Sequence, residues 1–170
     1  MCFLGVDIGG TSVRSLVTDA GGKILGYQRI ARVSHESLWQ AINDCLGTVL
    51  AQSSVVHVEA AVVGAAGAGP TGNHDVCQSV EKAFRAVGLD VTPQVVTDIE
   101  IAYWSAAVLG DGSILVAGTG AIAGRFSEWR CVDRRDGAGW LLGDHGSGYW
   151  IGRKASVSYT HLTLPTILLV

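Results

Sequence analysis

The sequence predicts an α/β fold: a mixed β-sheet with helices on both faces, followed by the start of a second, duplicated domain. Three observations predict it. The chain opens with three short apolar runs separated by Gly-rich turns, helical and strand patterns then alternate, and a second series of three strand patterns begins after residue 110. Ligands of such sheets gather at the carboxyl ends of the strands. We expect a first domain over 1–110 and the beginning of a second over 111–156.

The first three strands are predicted at residues 3–8, 13–18 and 24–30. β-branched and apolar residues fill these runs, and Gly-rich turns at 9–11 and 19–22 separate them, which is typical of an antiparallel meander. A helix is predicted over 36–50, because apolar residues recur there at helical spacing, with Ser34 available as its N-cap.

Strands and helices then alternate. Strand patterns at 58–63 and 94–97 alternate with helical patterns at 75–87 and 99–109, which completes the order βββαβαβα. The second series is predicted as strands at 113–116, 121–126 and 129–132. A repeated βββ start indicates a duplication, and we expect the helices and strands that should follow to lie beyond the end of this chain.

The last residues, 157–170, do not fit this pattern. They show no helical or alternating period that continues the helix begun near Ser147, and Pro165 would stop a helix. The segment is similar to the translation of a transposon-based sequencing-library adapter. We therefore expect a non-native read-through tail, with the natural sequence interrupted near Ser156; a genuine C-terminal strand is the alternative.

The composition is typical of a folded protein and disfavours nucleic-acid-binding and membrane-spanning functions. Hydrophobic residues make up 48% of the chain and charged residues 16%, so it can bury enough apolar surface to fold. The net charge of -3 offers no basic field to nucleic acid, and no apolar stretch suits a bilayer span. Cys2, Cys45, Cys77 and Cys131 lie far apart, which favours reduced thiols in the cytoplasm over disulfides or a zinc site, and no signal-peptide pattern is visible.

The first candidate site follows the first strand. It consists of Asp7, Gly9, Gly10, Thr11 and Ser12. Glycines let backbone N–H groups approach a phosphate closely, hydroxyl groups add donors, and a carboxylate can hold a hydrated magnesium ion. The pattern indicates a turn that binds phosphate and metal. An ordinary hairpin with Gly-Gly at its tip explains this motif equally well on its own.

A second turn of this kind lies between the first two strands of the second series. Gly118, Thr119 and Gly120 again place a hydroxyl between glycines. Two such turns on facing domains can grip a polyphosphate from both sides, which a single turn cannot. Another Gly-containing hairpin is the alternative, but two turns at equivalent places in a repeated pattern favour phosphate binding.

Asp98 is the candidate general base. It stands at a predicted strand-to-helix junction, where a carboxylate can accept the proton of a sugar hydroxyl as that hydroxyl attacks a γ-phosphate. A helix N-cap is the alternative role for Asp98, and the two roles are compatible. Glu100 is expected to compensate the helix dipole in the first turn rather than to act in catalysis.

The fourth motif covers residues 137–153 and reads Gly-Ala-Gly-Trp-Leu-Leu-Gly-Asp-His-Gly-Ser-Gly-Tyr-Trp-Ile-Gly-Arg. This run resembles the signature of the N-acetylglucosamine kinase and BadF/BadG/BcrA/BcrD-type ATPase family. With the order of the other motifs, the resemblance covers residues 1–155. It implies a pair of ribonuclease H-like domains of the actin-like ATPase superfamily that close over ATP and a sugar.

The resemblance also implies roles for single residues. Asp98 matches the family base and Asp7 the metal-associated aspartate, while the turns at 9–11 and 118–120 match the two phosphate turns. Asp144 matches a family residue that hydrogen-bonds sugar hydroxyls.

Three departures from the family pattern affect the sugar side. Ser34 stands where the animal N-acetylglucosamine kinases have an Asn that touches the sugar, and Ala138 stands in place of a Trp. Trp140, next to Gly139, could supply the lost stacking against the sugar. His145 replaces the usual Glu and receives no catalytic role.

Three functions follow from the resemblance. The leading one is an ATP- and Mg²⁺-dependent kinase that phosphorylates N-acetylglucosamine, glucosamine or a similar amino sugar. The second is an ATPase activator of a radical dehydratase or reductase with an iron–sulfur cluster, for which Cys131 is the candidate ligand. The third is a sugar-binding member without activity. No nucleic-acid or membrane partner is expected, the oligomeric state is left open with a homodimer as one option, and this chain alone is expected to have little kinase activity.

Overall fold

The computed structural model describes residues 1–31, 37–66, 68 and 74–163, with side chains as far as residue 157. Two compact units divide the chain, Met1–Ala102 and a second one that begins at Tyr103. In the described part, none of the helices has the length and apolar character needed to cross a membrane.

A mixed five-stranded sheet forms the first unit. Its strands are β1 (Cys2–Ile8), β2 (Ser12–Asp19), β3 (Ile24–Ala31), β4 (Ala60–Ala65) and β5 (Gln94–Thr97), in the order β3-β2-β1-β4-β5. The first three strands form the predicted antiparallel meander, and β1, β4 and β5 run parallel. The five strand predictions are confirmed, although β4 begins two residues later than expected because its pairing with β1 starts at Ala60.

Helices cover both faces of this sheet. They are α1 (Leu38–Ser53), α2 (His74–Ala86) and α3 (Asp98–Ala106). Val63 of β4 lies in the fully buried core that α1 and α2 also form, whereas its neighbour Gly64 points to the opposite face. A side chain at Gly64 would collide with Ile101. Because glycine has no side chain, α3 can pack directly on β4. The predicted α/β arrangement is therefore confirmed.

Two helix ends differ from the prediction. Ser37, and not Ser34, precedes the first turn of α1, where its hydroxyl donates to Gln40 Oε1 at 2.6 Å. The predicted cap was wrong because the helix starts two residues later than its apolar period suggested, and Ser34 lies outside the described residues. α3 ends at Ala106, short of residue 109, because the Tyr103 hydroxyl binds the carbonyl of Leu109 and turns the chain away.

An antiparallel sheet opens the second unit. Its strands are β6 (Gly112–Ala117), β7 (Ala121–Ser127) and β8 (Arg130–Asp136), followed by the short α4 (Gly139–Leu142) and by α5 (Gly148–Thr163). The third predicted strand is confirmed with shifted bounds, because Glu128 and Trp129 form the turn with φ of 48° and 66° and β8 continues to Asp136. Although residues 157–170 show no period that continues a helix, α5 runs to Thr163.

Candidate functional site

The carboxyl ends of the parallel strands β1, β4 and β5 meet at one edge of the first sheet. The first glycine turn follows β1 at this edge, and Asp98 follows β5. Only β4 separates the two, so they lie two strand spacings apart, about 10 Å. The structure therefore brings the predicted phosphate turn and the predicted base to the same edge.

Main-chain hydrogen bonds close the first glycine turn. The Gly9 N–H donates to the Ser12 carbonyl at 2.9 Å, and Ser12 itself is buried at the start of β2. Among the described residues, nothing accepts the N–H groups of Gly10 and Thr11, and a methyl group on Gly10 would meet no atom within 4 Å. The turn thus presents two exposed donors beside open space, which suits an anion.

Asp7 lies on the face of the sheet that α3 covers, because its neighbours Val6 and Ile8 point into the core of α1 and α2. Its Oδ2 accepts a hydrogen bond from Arg14, its partner across the β1–β2 pair, at 3.1 Å. In the described part of the chain its Oδ1 accepts none. Because Mg²⁺ commonly binds through one carboxylate, water and phosphate oxygens, this half-exposed carboxylate fits the predicted metal role.

Hydrogen bonds from Thr97 to Glu100 hold the junction between β5 and α3. Glu100 Oε2 accepts the backbone N–H of Thr97 at 3.0 Å and its hydroxyl at 2.7 Å, so Thr97 occupies the N-cap position. The alternative of Asp98 as the N-cap is therefore wrong, because Asp98 is the first residue of α3. Its Oδ1 accepts the N–H of Ile99, and its Oδ2 has no hydrogen bond within the described residues.

The second glycine turn is oriented by the start of α5. The carbonyls of Gly118 and Thr119 accept the N–H groups of Gly148 and Tyr149 at 2.8 Å and 3.4 Å. In a trans peptide unit the N–H points away from the preceding carbonyl, so the N–H groups of Thr119 and Gly120 point away from α5. Neither has a hydrogen-bond acceptor in the part of the chain that the structure describes, and this turn also presents two donors.

Asp144 contacts the second glycine turn directly. Its Oδ1 accepts the N–H of Ala121 at 3.2 Å. A methyl group on Gly120 would lie 3.1–3.2 Å from the Asp144 carboxylate, so the absence of a side chain permits this approach. Asp144, the predicted sugar-binding aspartate, therefore holds the main chain next to the second glycine turn.

Trp140 and Gly139 begin the short α4, on the loop that leads to Asp144. Trp140 is 54% exposed, and its ring meets that of Tyr149 edge to face with centroids 5.7 Å apart. The pair forms an exposed aromatic surface in the second unit. Sequence reasoning missed Tyr149, because a helical tyrosine gives no local sign that it will meet a tryptophan nine residues earlier.

Asp136 is a second residue that sequence reasoning missed. Its carboxylate accepts the N–H groups of Asp144 and His145. Partial desolvation raises the pKa of Asp136, but the two N–H donors and the nearby His145 ring outweigh it and the pKa is lowered. Asp136 therefore carries a negative charge beside the fourth motif.

The predicted site residues fall into two groups, one in each unit. Asp7, Gly9, Gly10, Thr11, Ser12 and Asp98 lie at the carboxyl edge of the first sheet. Gly118, Thr119, Gly120, Gly139, Trp140 and Asp144 lie around the β6–β7 turn and the loop before α5. The four cysteines, all within the described residues, form no disulfide.

The chain belongs to the BadF/BadG/BcrA/BcrD ATPase family, whose sequence profile matches residues 4–157. This match confirms the resemblance carried by the four motifs. The fold is that of an actin-like ATPase domain, with a mixed five-stranded sheet and a small antiparallel sheet.

Several relatives of this chain carry sugar-kinase names. The chain is 31% identical over 160 residues to the N-acetylmuramic acid/N-acetylglucosamine kinase of Clostridium acetobutylicum, covering 89% of this chain and 51% of that protein. A structure assigned as an N-acetylglucosamine kinase from Porphyromonas gingivalis superposes with a TM-score of 0.76 at 21% identity, covering 98% of this chain and 59% of the other.

A third relative is a ROK family glucokinase from Streptomyces griseus, solved in complex with glucose and AMPPNP. It is 25% identical and superposes with a TM-score of 0.55, covering 86% of this chain and 50% of the other. The chain thus spans about half the length of the relatives it matches.

Proposed function

We propose that this chain is the phosphate-binding front part of an ATP-dependent kinase that transfers the γ-phosphate to a hydroxyl group of an amino sugar. One observation carries the proposal: a glycine turn with two unengaged N–H groups and the Asp98 carboxylate lie at the carboxyl ends of the parallel strands β1 and β5. Phosphoryl transfer requires these two elements side by side, because positioning and charge stabilisation supply most of its catalysis. The similarity to an N-acetylmuramic acid/N-acetylglucosamine kinase supports the substrate class.

Asp98 acts as the general base. Its Oδ2 accepts the proton of the sugar hydroxyl while the hydroxyl oxygen bonds to the γ-phosphorus, and the bond from that phosphorus to the β-γ bridging oxygen breaks to release ADP. The hydrogen bonds from Thr97 to Glu100 fix the backbone on either side of the base. Among the described residues, nothing donates a hydrogen bond to Oδ2 of Asp98, so this oxygen is left for the substrate.

The two glycine turns bind the phosphates of ATP. Gly10 and Thr11 donate from the first turn and Thr119 and Gly120 from the second, with the Thr hydroxyls as additional donors. Asp7 holds Mg²⁺ through water or directly, and the ion neutralises charge on the phosphate oxygens when it is bound.

The sugar is an N-acetylated or free amino sugar. Trp140, beside Gly139, stacks on its apolar face, and Asp144 and Ser34 bind its hydroxyl groups. The edge-to-face contact with Tyr149 orients the Trp140 ring, which supports this role. Ala138 and His145 replace the family Trp and Glu, so the candidates are N-acetylglucosamine, glucosamine and similar amino sugars.

The complete protein carries this activity. We infer that residues 1–110 are its first domain, that residues 111–156 begin the second and that 157–170 are a non-native tail; the family match ends at residue 157. We propose a cytoplasmic location, because the wide spacing of the four cysteines favours reduced thiols.

Asp98→Asn in the full-length protein tests the proposal. We expect kcat for amino-sugar phosphorylation to fall roughly 10²–10⁴-fold, because the base is lost. Asp90→Asn is the matched control: it makes the same chemical change at an exposed residue in the loop before β5 and should leave kcat unchanged.

Three results would contradict the kinase. A brown protein that hydrolyses ATP without a sugar would establish the ATPase activator instead. Sugar binding without turnover in the wild type would establish the non-catalytic member. Equal kcat values for Asp98→Asn and wild type would remove Asp98 from catalysis.

A further inference from the structure

Asp136, the last residue of β8, makes contacts that the proposed reaction does not use. Its Oδ1 accepts the Asp144 N–H at 2.5 Å, and its Oδ2 accepts the His145 N–H at 2.8 Å. The Nδ1 atom of His145 lies 3.4 Å from the same Oδ2. One charged carboxylate therefore holds two successive amides of the loop that carries Asp144.

The hydrogen bonds continue from this loop to the second glycine turn. Asp144 Oδ1 accepts the N–H of Ala121, at the start of β7. The Asp144 carbonyl accepts the N–H of Ser147, whose buried hydroxyl in turn accepts the N–H of Trp150 and caps α5. The loop held by Asp136 is therefore connected to the turn in two ways. One is the bond from Ala121 to Asp144, and the other is the bond from Gly148, the first residue of α5, to the Gly118 carbonyl.

The backbone of the loop needs this support. Asp136 and Asp144 both adopt left-handed conformations, with φ of 64° and 57°. Such conformations are unfavourable for residues other than glycine and persist where the surrounding contacts hold them. The short Asp136–Asp144 hydrogen bond therefore joins two residues whose backbones are both strained, and it helps to hold both conformations in place.

We propose that Asp136 is a positioning residue for the second glycine turn and acts through Asp144 and Ala121 without touching the nucleotide. The inference rests on the proposed phosphate-binding role of that turn. With Asp136 in place, the Asp144 carboxylate stays on the Ala121 N–H, and the N–H groups of Thr119 and Gly120 keep their direction.

Asp136→Asn is the variant that tests this role. Asparagine tolerates the left-handed backbone, so the substitution removes the charge and one acceptor without adding strain. Asp111→Asn is the matched control, because Asp111 also accepts a backbone N–H, from Glu128 at 2.8 Å, and precedes β6 in the same unit. Both variants are prepared as the ¹⁵N-labelled chain of 170 residues.

Amide hydrogen exchange is the first measurement. In Asp136→Asn we expect exchange to accelerate roughly tenfold at Asp144 and His145 and roughly threefold at Ala121. Asp111→Asn should accelerate exchange at Glu128 and leave those three amides unchanged. If Ala121 exchanges at the wild-type rate in Asp136→Asn, Asp136 holds only its own loop and the proposal is wrong.

Titration with inorganic pyrophosphate is the second measurement. We expect pyrophosphate to shift the Thr119 and Gly120 amide resonances of the wild type, and its Kd to rise roughly fivefold in Asp136→Asn but not in Asp111→Asn. A wild-type Kd in Asp136→Asn would overturn the proposal. A wild type that binds no pyrophosphate would refute the phosphate role of the turn, and the exchange rates would still decide the positioning role.

Exchange in the wild type covers the case in which Asp136→Asn does not fold. If Asp136 links the loop to the turn, the amides of Asp144, His145 and Ala121 open together, with one opening free energy and one dependence on denaturant. Separate opening of Ala121 would overturn the link.

Discussion

The first glycine turn is closed by the main chain of a central strand pair, whereas the second is held by side chains and by the start of a helix. Gly9 and Ser12 bond to each other across the first turn, and the strands on both sides belong to a five-stranded sheet. The second turn follows β6, the edge strand of a three-stranded sheet, and depends on Asp144 and α5. Two turns with the same pattern of glycines and hydroxyls therefore differ in which substitutions they can tolerate.

Asp144→Ala should expose this difference most strongly. It leaves the Ala121 N–H without its charged acceptor, and we expect the free energy of unfolding of the second unit to fall by about 1.5–3 kcal/mol. Asp7→Ala, its counterpart at the first turn, removes a half-exposed ion pair with Arg14 worth about 0–1 kcal/mol.

Urea unfolding followed by tryptophan fluorescence measures the effect of Asp144→Ala, because Trp104, Trp129, Trp140 and Trp150 all lie in the second unit. Amide exchange in the β1–β2 region measures the effect of Asp7→Ala. Equal losses in the two variants would show that both turns are held alike.

Alanine substitutions at Gly10 and Gly120, one in each turn, distinguish effects on stability from effects on phosphate binding. Gly120→Ala forces the Asp144 carboxylate away and should cost about 1–3 kcal/mol of stability. Gly10→Ala meets no atom within 4 Å, so its stability should match the wild type. We nevertheless expect Gly10→Ala to weaken pyrophosphate binding at the first turn, because the methyl group enters the space left for the phosphate. Thermal unfolding and pyrophosphate titration of both variants decide this; a destabilised Gly10→Ala would contradict the open turn.

Lowering the pH should weaken the hydrogen bonds that support the second turn, because Asp136 becomes protonated. Its pKa is lowered in the folded chain by the N–H donors of Asp144 and His145, against the opposing effect of desolvation. The stabilisation is therefore complete above the unfolded value, about 3.9, and is lost as the pH falls through the lowered folded pKa. Amide resonances of Asp144 and Ala121 should follow that titration as the pH falls below the ordinary carboxyl pKa, and Asp136→Asn should remove it. Retention of the titration in Asp136→Asn would assign it to another group.

Arg14→Ala should have the smallest effect. The Arg14 side chain is 46% exposed, and its ion pair with Asp7 contributes about 0–1 kcal/mol. We expect the Gly10 and Thr11 amide resonances to keep their positions, because the Gly9–Ser12 bond closes the turn without Arg14. A large shift of those resonances would make Arg14 part of the support of the first turn.

The sequence was sufficient for features that depend on neighbours in the chain. Strand and helix periods identified the elements of both units, and the position of Asp98 after β5 followed from the alternation of strands and helices. The parallel edge shared by Asp98 and the first glycine turn also followed, because a connection through a helix returns the chain to the same edge.

Features that depend on register or on distant partners could not be predicted. Arg14 meets Asp7 only because the β1–β2 hairpin has one particular register, and a shift of one residue would place them on opposite faces. Asp136 reaches Asp144 because β8 extends beyond its apolar part, where charged residues hide the strand pattern. The extension of α5 escaped prediction because its polar and β-branched residues lack an apolar period, although they permit a helical backbone.

Gly64 lies outside the proposed site, yet it limits how closely α3, which begins with the proposed base Asp98, approaches the sheet. Ile101 occupies the space that a side chain at Gly64 would fill, so α3 packs close to the sheet. This packing sets the distance between the sheet and Asp98, the first residue of α3. A single methyl group in the middle of β4 would lift the helix and carry the carboxylate with it. The distance between the proposed proton acceptor and its substrate can thus be adjusted from the interior of the sheet, by residue volume alone, without any change at the proposed site.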